Sequence, residues 1–280
     1  MPNTIAQCLR QATEQLQSSS DSARLDAEVL LAHLLQKERI YFLTWPEEEL
    51  SVSMQQQYQA LINRRQKGEP IAYITGFQEF WSLRLKVTPD TLIPRPDTEI
   101  LVQTALEHIP EAKDYSIADL GTGSGAIALA IAVERPLCHI TGVDQSEAAV
   151  LIARENATRL GIHNVRFERG NWLDAFADQS LDMILSNPPY VAEKDPHMSE
   201  GDVRFEPVTA LLAGPEGMAA YDIILPEAKR CLKQGGYLLL EHGYDQQARL
   251  LMRLQQQGFV KTCGIKDYAS HDRVVIGQAT

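Results

Sequence analysis

The chain has 280 residues, of which 44% are hydrophobic and 22% charged, a composition typical of globular proteins with one large or two small domains. Its formal net charge of −11 argues against broad capture of a nucleic-acid backbone, which requires a basic face. The longest apolar run, residues 126–133, is too short to cross a bilayer, and the N-terminus has no apolar signal-peptide core. Four cysteines without CxxC spacing predict neither disulfides nor zinc, so we expect a cytoplasmic protein without a metal.

The first seventy residues predict a small helical bundle. Apolar residues recur at helical spacing over residues 4–17 and again after SSSDS at 18–22, whose serines are suitable N-caps. Residues 44–46, TWP, predict the start of another helix, because proline is tolerated at the first helical position.

The last helix of this bundle is predicted from a capping box and a basic end. Ser53 with Gln56 has the spacing of a capping box. Basic residues near the end of the helix would favour its dipole, and we expect them to be solvated. They are Arg64, Arg65 and Lys67.

The composition changes at Pro70. Residues 71–87 are rich in β-branched and aromatic side chains, with a glycine between two runs, which predicts a β-hairpin. We therefore predict three parts: a helical substrate-recognition bundle at 1–70, a linking hairpin at 71–90 and a catalytic domain at 91–280.

The third part has an α/β pattern. Its first helix is predicted over residues 93–109, beginning near Pro96, with Asp97 and Glu99 in the first turn. From residue 115 strands and helices alternate, which predicts a doubly wound, mostly parallel sheet with an antiparallel last strand. The predicted strands are SIADL, CHITGVD, VRFERGN, LDMILSN, GGYLLLEHG, FVKTCGIKD and RVVIGQ.

A glycine loop, GTGSG at residues 121–125, joins the first of these strands to its helix. Glycines let the backbone approach a ligand closely, and the following helix offers free N–H groups. Asp144 ends the next strand, where an acid can accept both ribose hydroxyls of a nucleoside. Asp119, ahead of the loop, would repel a pyrophosphate but suits the ammonium group of a methionine moiety. The loop therefore predicts a nucleoside site and favours S-adenosylmethionine.

The sequence SNPPY at residues 186–190 follows a buried strand, at the sheet edge where doubly wound folds bind ligands. A planar nitrogen, such as a carboxamide or adenine N6, is a poor nucleophile, because its lone pair is delocalised. The Asn187 side-chain oxygen and the Pro188 carbonyl can accept its two N–H groups, and Tyr190 can lie against its flat face. The loop predicts methyl transfer to a planar nitrogen, with Asn187, Pro188 and Tyr190 as the catalytic residues.

The order of these motifs resembles that of the release-factor glutamine N5-methyltransferases, which methylate the glutamine of the GGQ loop in class-1 peptide chain release factors. The resemblance covers the N-terminal helices and the segments YITGFQEFWSLRLKV, IPRPDTE, DLGTGSG, GVDQS, GNWLD, SNPPY, RFEP and GPEGMAAYDIIL. It implies a Rossmann-like class I methyltransferase sheet, S-adenosylmethionine as cofactor and S-adenosylhomocysteine as product. It also implies a release factor as the protein partner, contacted by the helical bundle.

The resemblance carries site residues with it. In addition to Asp119, it assigns cofactor contact to Gly121, Thr122, Gly123, Ser124, Gly125, Asp144, Trp172 and Asn187. It assigns glutamine binding to Asn187, Pro188, Pro189 and Tyr190. Trp172 falls where such enzymes clasp adenine, but an ordinary core or lid tryptophan is an equal interpretation.

Several residues keep a structural and a functional interpretation. Arg95 either belongs to a capped helix start or steadies the active-site loops or the partner. Phe77 and Phe80 either line the cleft or, as we favour, pack in the hairpin core. His242 stands where many relatives carry an apolar residue, and we expect a packing variation there.

Three other functions stay open. A nucleic-acid N6-adenine methyltransferase would use the same loop, but the acidic balance and the absence of an aromatic and basic stripe argue against direct nucleic-acid binding. A non-catalytic nucleotide- or protein-binding module would keep the same frame. An NAD-dependent oxidoreductase depends on a loose GxGxxA match and leaves NPPY unexplained.

Overall fold

The computed structural model describes residues 3–195 and 201–280, which form two compact units. The first comprises the described residues of Met1–Phe77 and His197–Phe205. The second comprises those of Gln78–Pro196 and Glu206–Thr280.

The first unit is helical, as predicted. Its helices are α1 (Ile5–Leu16), α2 (Ala23–Leu35), α3 (Ile40–Thr44), α4 (Val52–Gln66) and α5 (Ile71–Thr75). A capping box starts α1, in which the Thr4 side chain accepts from the N–H of Gln7 and the Gln7 side chain accepts from the N–H of Thr4. The apolar faces of these helices form one core, with Leu16, Leu30 and Ile62 almost completely buried.

The predicted helix start at residues 44–46 is wrong, because α3 ends at Thr44. The chain beyond it supplies acceptors to the first turn of α1. The N–H of Ala6 donates to the Pro46 carbonyl at 2.9 Å, and that of Ile5 donates to the Glu48 carbonyl at 2.9 Å. Tertiary pairing therefore overrides the local preference for a helix.

The start of α4 also differs from the prediction. Its N-cap is Ser51, whose side chain accepts from the N–H of Met54, so the helix begins two residues earlier than the Ser53 box would place it. Either serine satisfies the general preference for a hydroxyl at this position, and only the local geometry decides between them.

The basic end of α4 is not simply solvated, contrary to the prediction. Arg65 is largely buried and forms ion pairs with Asp26 at 2.7 Å and with Asp202 at 2.9 Å. Arg64 pairs with Glu69. Two of the three cations are therefore held by acids of the same unit.

The predicted hairpin is right for residues 77–86 and wrong for residues 71–75. Strands β1 (Phe77–Phe80) and β2 (Leu83–Lys86) form a two-stranded sheet, whereas the segment before them is helix α5. Ile74 of that helix is buried in the bundle core, and Gly76 ends it with φ 77°, a left-handed conformation that suits glycine.

The second unit contains the predicted doubly wound sheet. Its strands are β3 (Ser116–Leu120), β4 (His139–Asp144), β5 (Val165–Arg169), β6 (Leu181–Ser186), β7 (Leu232–Glu241), β8 (Val260–Lys266) and β9 (Asp272–Gln278). They lie in the order β5-β4-β3-β6-β7-β9-β8, parallel except for β9. This order confirms the predicted fold class, including the antiparallel last strand.

Helices cover both faces of this sheet. They are α6 (Glu99–His108), α7 (Ala126–Glu134), α8 (Glu147–Leu160), α9 (Ala219–Cys231) and α10 (Gln247–Gln256). A 3₁₀ turn over Pro96–Thr98 precedes α6, so the helical stretch begins where the sequence predicts. Two hydrophobic layers pack between these helices and the sheet. Phe80 is buried in one of them, which agrees with its packing interpretation.

The register of the strands brings their carboxyl ends to one edge. Leu120 pairs with Val143 on one side and with Ser186 on the other, and Ser186 pairs with Leu240. The residues that follow β3, β4, β6 and β7 therefore lie side by side. None of the described helices is long and apolar enough to cross a membrane.

Candidate active site

A cleft of about 260 Å³ lies at the carboxyl edge of the sheet. Six of the predicted site residues line it, namely Gly121, Gly123, Asp144, Trp172, Asn187 and Pro189. The other predicted site residues lie outside its wall, namely Asp119, Thr122, Ser124, Gly125, Pro188 and Tyr190. The rest of the wall comes mainly from residues 89–92 and from Pro207, Thr209 and Ala210.

The glycine loop folds back onto the end of β4. The N–H groups of Gly121 and Thr122 both donate to the carbonyl of Val143, at 2.8 and 3.0 Å. Gly121, Gly123 and Gly125 have φ values of 69°, 56° and 85°, which glycine adopts without strain. The sequence needs glycines here because the backbone turns three times through the left-handed region.

Asp119 lies beneath this loop rather than in the cleft wall. Its Oδ2 accepts from the Thr122 hydroxyl at 2.6 Å and from the N–H of Ala128 at 3.2 Å, and it thereby ties the loop to the start of α7. Burial raises the pKa of Asp119 to about 7, and these hydrogen bonds oppose the rise. Its Oδ1 is buried and has no hydrogen-bond partner among the described residues. The predicted contact with the ammonium group stays a prediction.

Asp144 joins the loop to the following helix. Its Oδ2 accepts from the N–H of Gly123 and its Oδ1 accepts from the N–H of Ser146, both at 2.9 Å. A carboxylate has about four acceptor sites, so each oxygen keeps capacity for a further donor. Asp144 is therefore fixed at the cleft wall and able to accept a pair of hydroxyls.

Trp172 contributes to both the core and the cleft. It packs against the hydrophobic layer on one face of the sheet, and its ring comes close to the glycine loop. A β-carbon on Gly121 would lie 3.8 Å from Cζ3 of Trp172 and 4.0 Å from the carbonyl oxygen of Asn187. The two interpretations of this residue are therefore compatible.

The NPPY loop is held from two directions. The side-chain Nδ2 of Asn187 donates to the Thr98 hydroxyl at 3.2 Å. At the other end, Nε2 of Gln246 donates to the carbonyl of Tyr190 at 3.0 Å and to that of Gly217 at 3.2 Å. With its nitrogen engaged, the Asn187 carboxamide has its oxygen left as the acceptor for a ligand.

Tyr190 packs on the core beside a buried carboxylate. Burial raises the pKa of the Tyr190 phenol, and the nearby charge of Glu241 adds to the rise. Burial also raises the pKa of Glu241 to about 7, whereas the neighbouring Thr98 and Tyr190 hydroxyls and the charge of Arg273 lower it. Glu241 itself is 1% exposed.

Sequence reasoning missed three of these supporting residues: Thr98, Glu241 and Gln246. Thr98 lies in the segment IPRPDTE, where Arg95 drew attention, and Glu241 is next to His242. Arg95 pairs with Glu206 at 2.7 Å, which links the IPRPDTE and RFEP segments.

His242, next to Glu241, behaves as a packing residue. It is fully buried, its Nδ1 lies 2.7 Å from the Gly243 carbonyl, and burial lowers its pKa. It is not part of the cleft wall. A neutral ring in this place suits the packing interpretation.

Gly217 leaves no room for a side chain beside the NPPY loop. We therefore expect Gly217→Ala to lower kcat of the predicted methyl transfer roughly tenfold or more. Its φ is 66°, and a β-carbon would lie 2.2 Å from the Tyr190 carbonyl oxygen and 2.8 Å from Nε2 of Gln246. Gly214→Ala is the matched control, since its φ is 74° but its nearest neighbour, the Ala219 β-carbon, would be 3.6 Å away. Steady-state kinetics measures kcat of the two variants. An equal loss of activity in both would contradict this expectation.

No group of three or more metal-ligating side chains occurs within residues 3–195 and 201–280.

Each of the two units matches a known protein family. Residues 7–76 match the family model of the PrmC N-terminal domain, and residues 111–271 match that of a methyltransferase domain. The chain is 51% identical to the release factor glutamine methyltransferase of Vibrio cholerae, covering 99% of this chain and 98% of the relative. It is 48% identical to the protein of the same name from Escherichia coli K12, covering 96% of this chain and 97% of the relative.

Solved structures support the fold. A methyltransferase from Pyrococcus furiosus aligns with 80% of this chain and 97% of its own length, at a TM-score of 0.54 and 19% identity. At that level of identity the likeness concerns the fold alone.

Proposed function

The chain belongs to the family of release factor glutamine methyltransferases, and we propose that it methylates N5 of the glutamine in the GGQ motif of class-1 peptide chain release factors. As a member of this family it is an S-adenosylmethionine-dependent glutamine methyltransferase. One observation carries the proposed mechanism: Asn187 of NPPY lines the cleft beside the glycine loop with its amide nitrogen already engaged.

The residues of the cleft fit the cofactor. When bound, S-adenosylmethionine supplies an electrophilic methyl group on its sulfonium sulfur. The backbone of Gly121 and Gly123 lies open at the cleft wall, and Asp144 has acceptor capacity for two ribose hydroxyls. Trp172 offers an aromatic wall for adenine. Asp119 lies beneath the loop, outside the cleft wall, and its unpartnered oxygen suits an ammonium group.

The NPPY loop positions the nucleophile. Oδ1 of Asn187 and the carbonyl of Pro188 accept the two N–H groups of the substrate amide, so that the nitrogen faces the methyl group. Tyr190, which packs on the core outside the cleft wall, is assigned to the flat face of the amide, and the prolines keep the Pro188 carbonyl in place. Such positioning can supply several kcal/mol of a barrier, up to roughly 7–11 in ideal cases. The methylated nitrogen is acidic and releases its proton to water, so the step needs no general base.

The helical bundle at residues 1–70 suits a protein partner. Around α3 it exposes large apolar side chains, with Leu43 70% and Trp45 56% exposed. Apolar groups that cluster on a surface in this way are typical of interaction sites. We therefore assign the bundle to recognition of the release factor, and the domain at residues 91–280 to catalysis.

The test is mass spectrometry of the GGQ peptide of a release factor after incubation with the protein and S-adenosylmethionine. We expect one added methyl group on the glutamine, and none when that glutamine is replaced by alanine. Parallel incubation with DNA and radiolabelled cofactor tests the adenine alternative. Labelled DNA together with an unlabelled release factor would contradict the proposal.

A further inference from the structure

Asn156 lies on α8, outside the wall of the cleft, and it is completely buried. Its carboxamide binds the backbone of two other segments. Nδ2 donates to the carbonyl of Lys86 at 3.0 Å and to that of Ser124 at 2.9 Å, and Oδ1 accepts from the N–H of Lys86 at 2.7 Å. One side chain therefore joins the end of β2 to the glycine loop.

The carbonyl of Ser124 needs a donor from outside its own helix. Ser124 precedes α7, and the N–H of Ala128, which a regular helix would offer to it, donates to Asp119 at 3.2 Å instead. Because Ser124 is only 2% exposed, solvent is a poor substitute for the donor that Asn156 provides. Without this donor a buried carbonyl would be left unpaired in the loop, next to Gly123 of the cleft wall.

The contact with Lys86 holds another part of the cleft wall. The chain runs from Lys86, the last residue of β2, into residues 89–92, which line the cleft. A turn shapes this segment, in which the N–H and the hydroxyl of Thr91 both donate to the Thr88 carbonyl, at 2.9 and 3.1 Å. Since Asn156 binds both the N–H and the carbonyl of Lys86, it fixes the strand end that carries this turn.

Only one orientation of the Asn156 carboxamide satisfies all three backbone groups. Two carbonyls require donors and one N–H requires an acceptor, whereas a reversed amide would place its oxygen against the Ser124 carbonyl. We propose that Asn156 is a positioning residue for the cofactor site, which holds the glycine loop and residues 89–92 at the spacing that S-adenosylmethionine requires; this inference rests on the proposed function.

The experiment compares Asn156→Asp with Asn164→Asp in the full chain. Aspartate keeps the shape and the acceptor of asparagine, but an ionised aspartate has no hydrogen to give to a carbonyl. Asn164 is the matched control, because it precedes β5 at the amino edge of the sheet and does not line the cleft. Its Nδ2 also donates to backbone carbonyls, namely those of Ala132 at 3.1 Å, Arg135 at 3.2 Å and Cys138 at 3.2 Å.

Calorimetry measures the Kd for S-adenosylhomocysteine, and thermal unfolding without cofactor measures stability. We expect Asn156→Asp to raise this Kd roughly 10- to 100-fold, and Asn164→Asp to keep it within about threefold of the wild type. Both variants should lose thermal stability, because both leave buried carbonyls unpaired. The Kd depends on global stability only through the folded fraction, so a merely structural asparagine would leave the Kd of a folded variant unchanged. A wild-type Kd in Asn156→Asp, or an equal rise in both variants, would overturn the proposal.

Asn156→Leu provides a second route to the same decision if Asn156→Asp does not fold. Leucine has the branched outline of asparagine and brings neither hydrogen bonds nor a charge. We expect the Kd to rise roughly tenfold or more in Asn156→Leu and to stay within about threefold in Asn164→Leu, and an unchanged Kd in Asn156→Leu would overturn the proposal. A wild-type protein that does not bind S-adenosylhomocysteine, or that leaves the GGQ glutamine unmethylated, would contradict the proposed function itself, which separates the two failures.

Discussion

Asn187→Ala is expected to lower kcat for GGQ methylation by about a hundred- to a thousandfold, while the Kd for S-adenosylhomocysteine rises less than tenfold. The reason is that different residues of the cleft serve the cofactor and the substrate amide. The loop at residues 121–125 and Asp144 are built on separate hydrogen bonds to the end of β4 and to the next helix. Removing the Asn187 side chain leaves those bonds intact but takes away one of two acceptors for the substrate amide.

Asn171→Ala is the control for this prediction. Asn171 also lines the cleft, but its side chain donates to Asp174 at 3.2 Å rather than to the catalytic loop. We expect its kcat to stay within about threefold of the wild type, since no substrate acceptor is lost. Radiolabel transfer and calorimetry on both variants measure the two quantities. If Asn187→Ala kept most of its activity, the amide would have to be held by other groups.

The part of the site that the sequence predicts is the part set by strand order. In a parallel sheet the carboxyl ends meet at one edge, so GTGSG, Asp144 and SNPPY could be brought together before any coordinate was known. Their residue types also carry their chemistry locally: glycines for left-handed turns, a carboxamide for acceptance, and prolines for stiffness.

The supporting residues could not be found in this way, because their contacts are long-range. Asn187 and Thr98 are 89 residues apart, and Gln246 and Tyr190 are 56 apart. Nothing in the local pattern of Thr98 distinguishes a helix start from a hydrogen-bond partner of the catalytic loop. The error at residues 44–46 has the same origin, since the start of α1 decides what that segment does.

Gly125→Ala is expected to lower the free energy of unfolding by about 2–5 kcal/mol. Gly125 has φ 85°, so alanine there is strained. A β-carbon would also lie 2.9 Å from Cζ of Phe167 and 3.2 Å from both Cβ of Ala153 and Cδ1 of Leu129. These neighbours belong to the hydrophobic core and cannot move aside without disturbing it.

Gly161→Ala separates the two causes. Gly161 ends α8 with φ 67°, and a β-carbon there would meet nothing within 4 Å. It should therefore show the backbone strain alone, about 1–2 kcal/mol. Urea unfolding of both variants without cofactor gives the difference, which reports the packing of the glycine loop against Phe167. An equal loss of stability in the two variants would mean that the core accommodates a methyl group at Gly125. The close contact between loop and core would then not be what requires a glycine at this position.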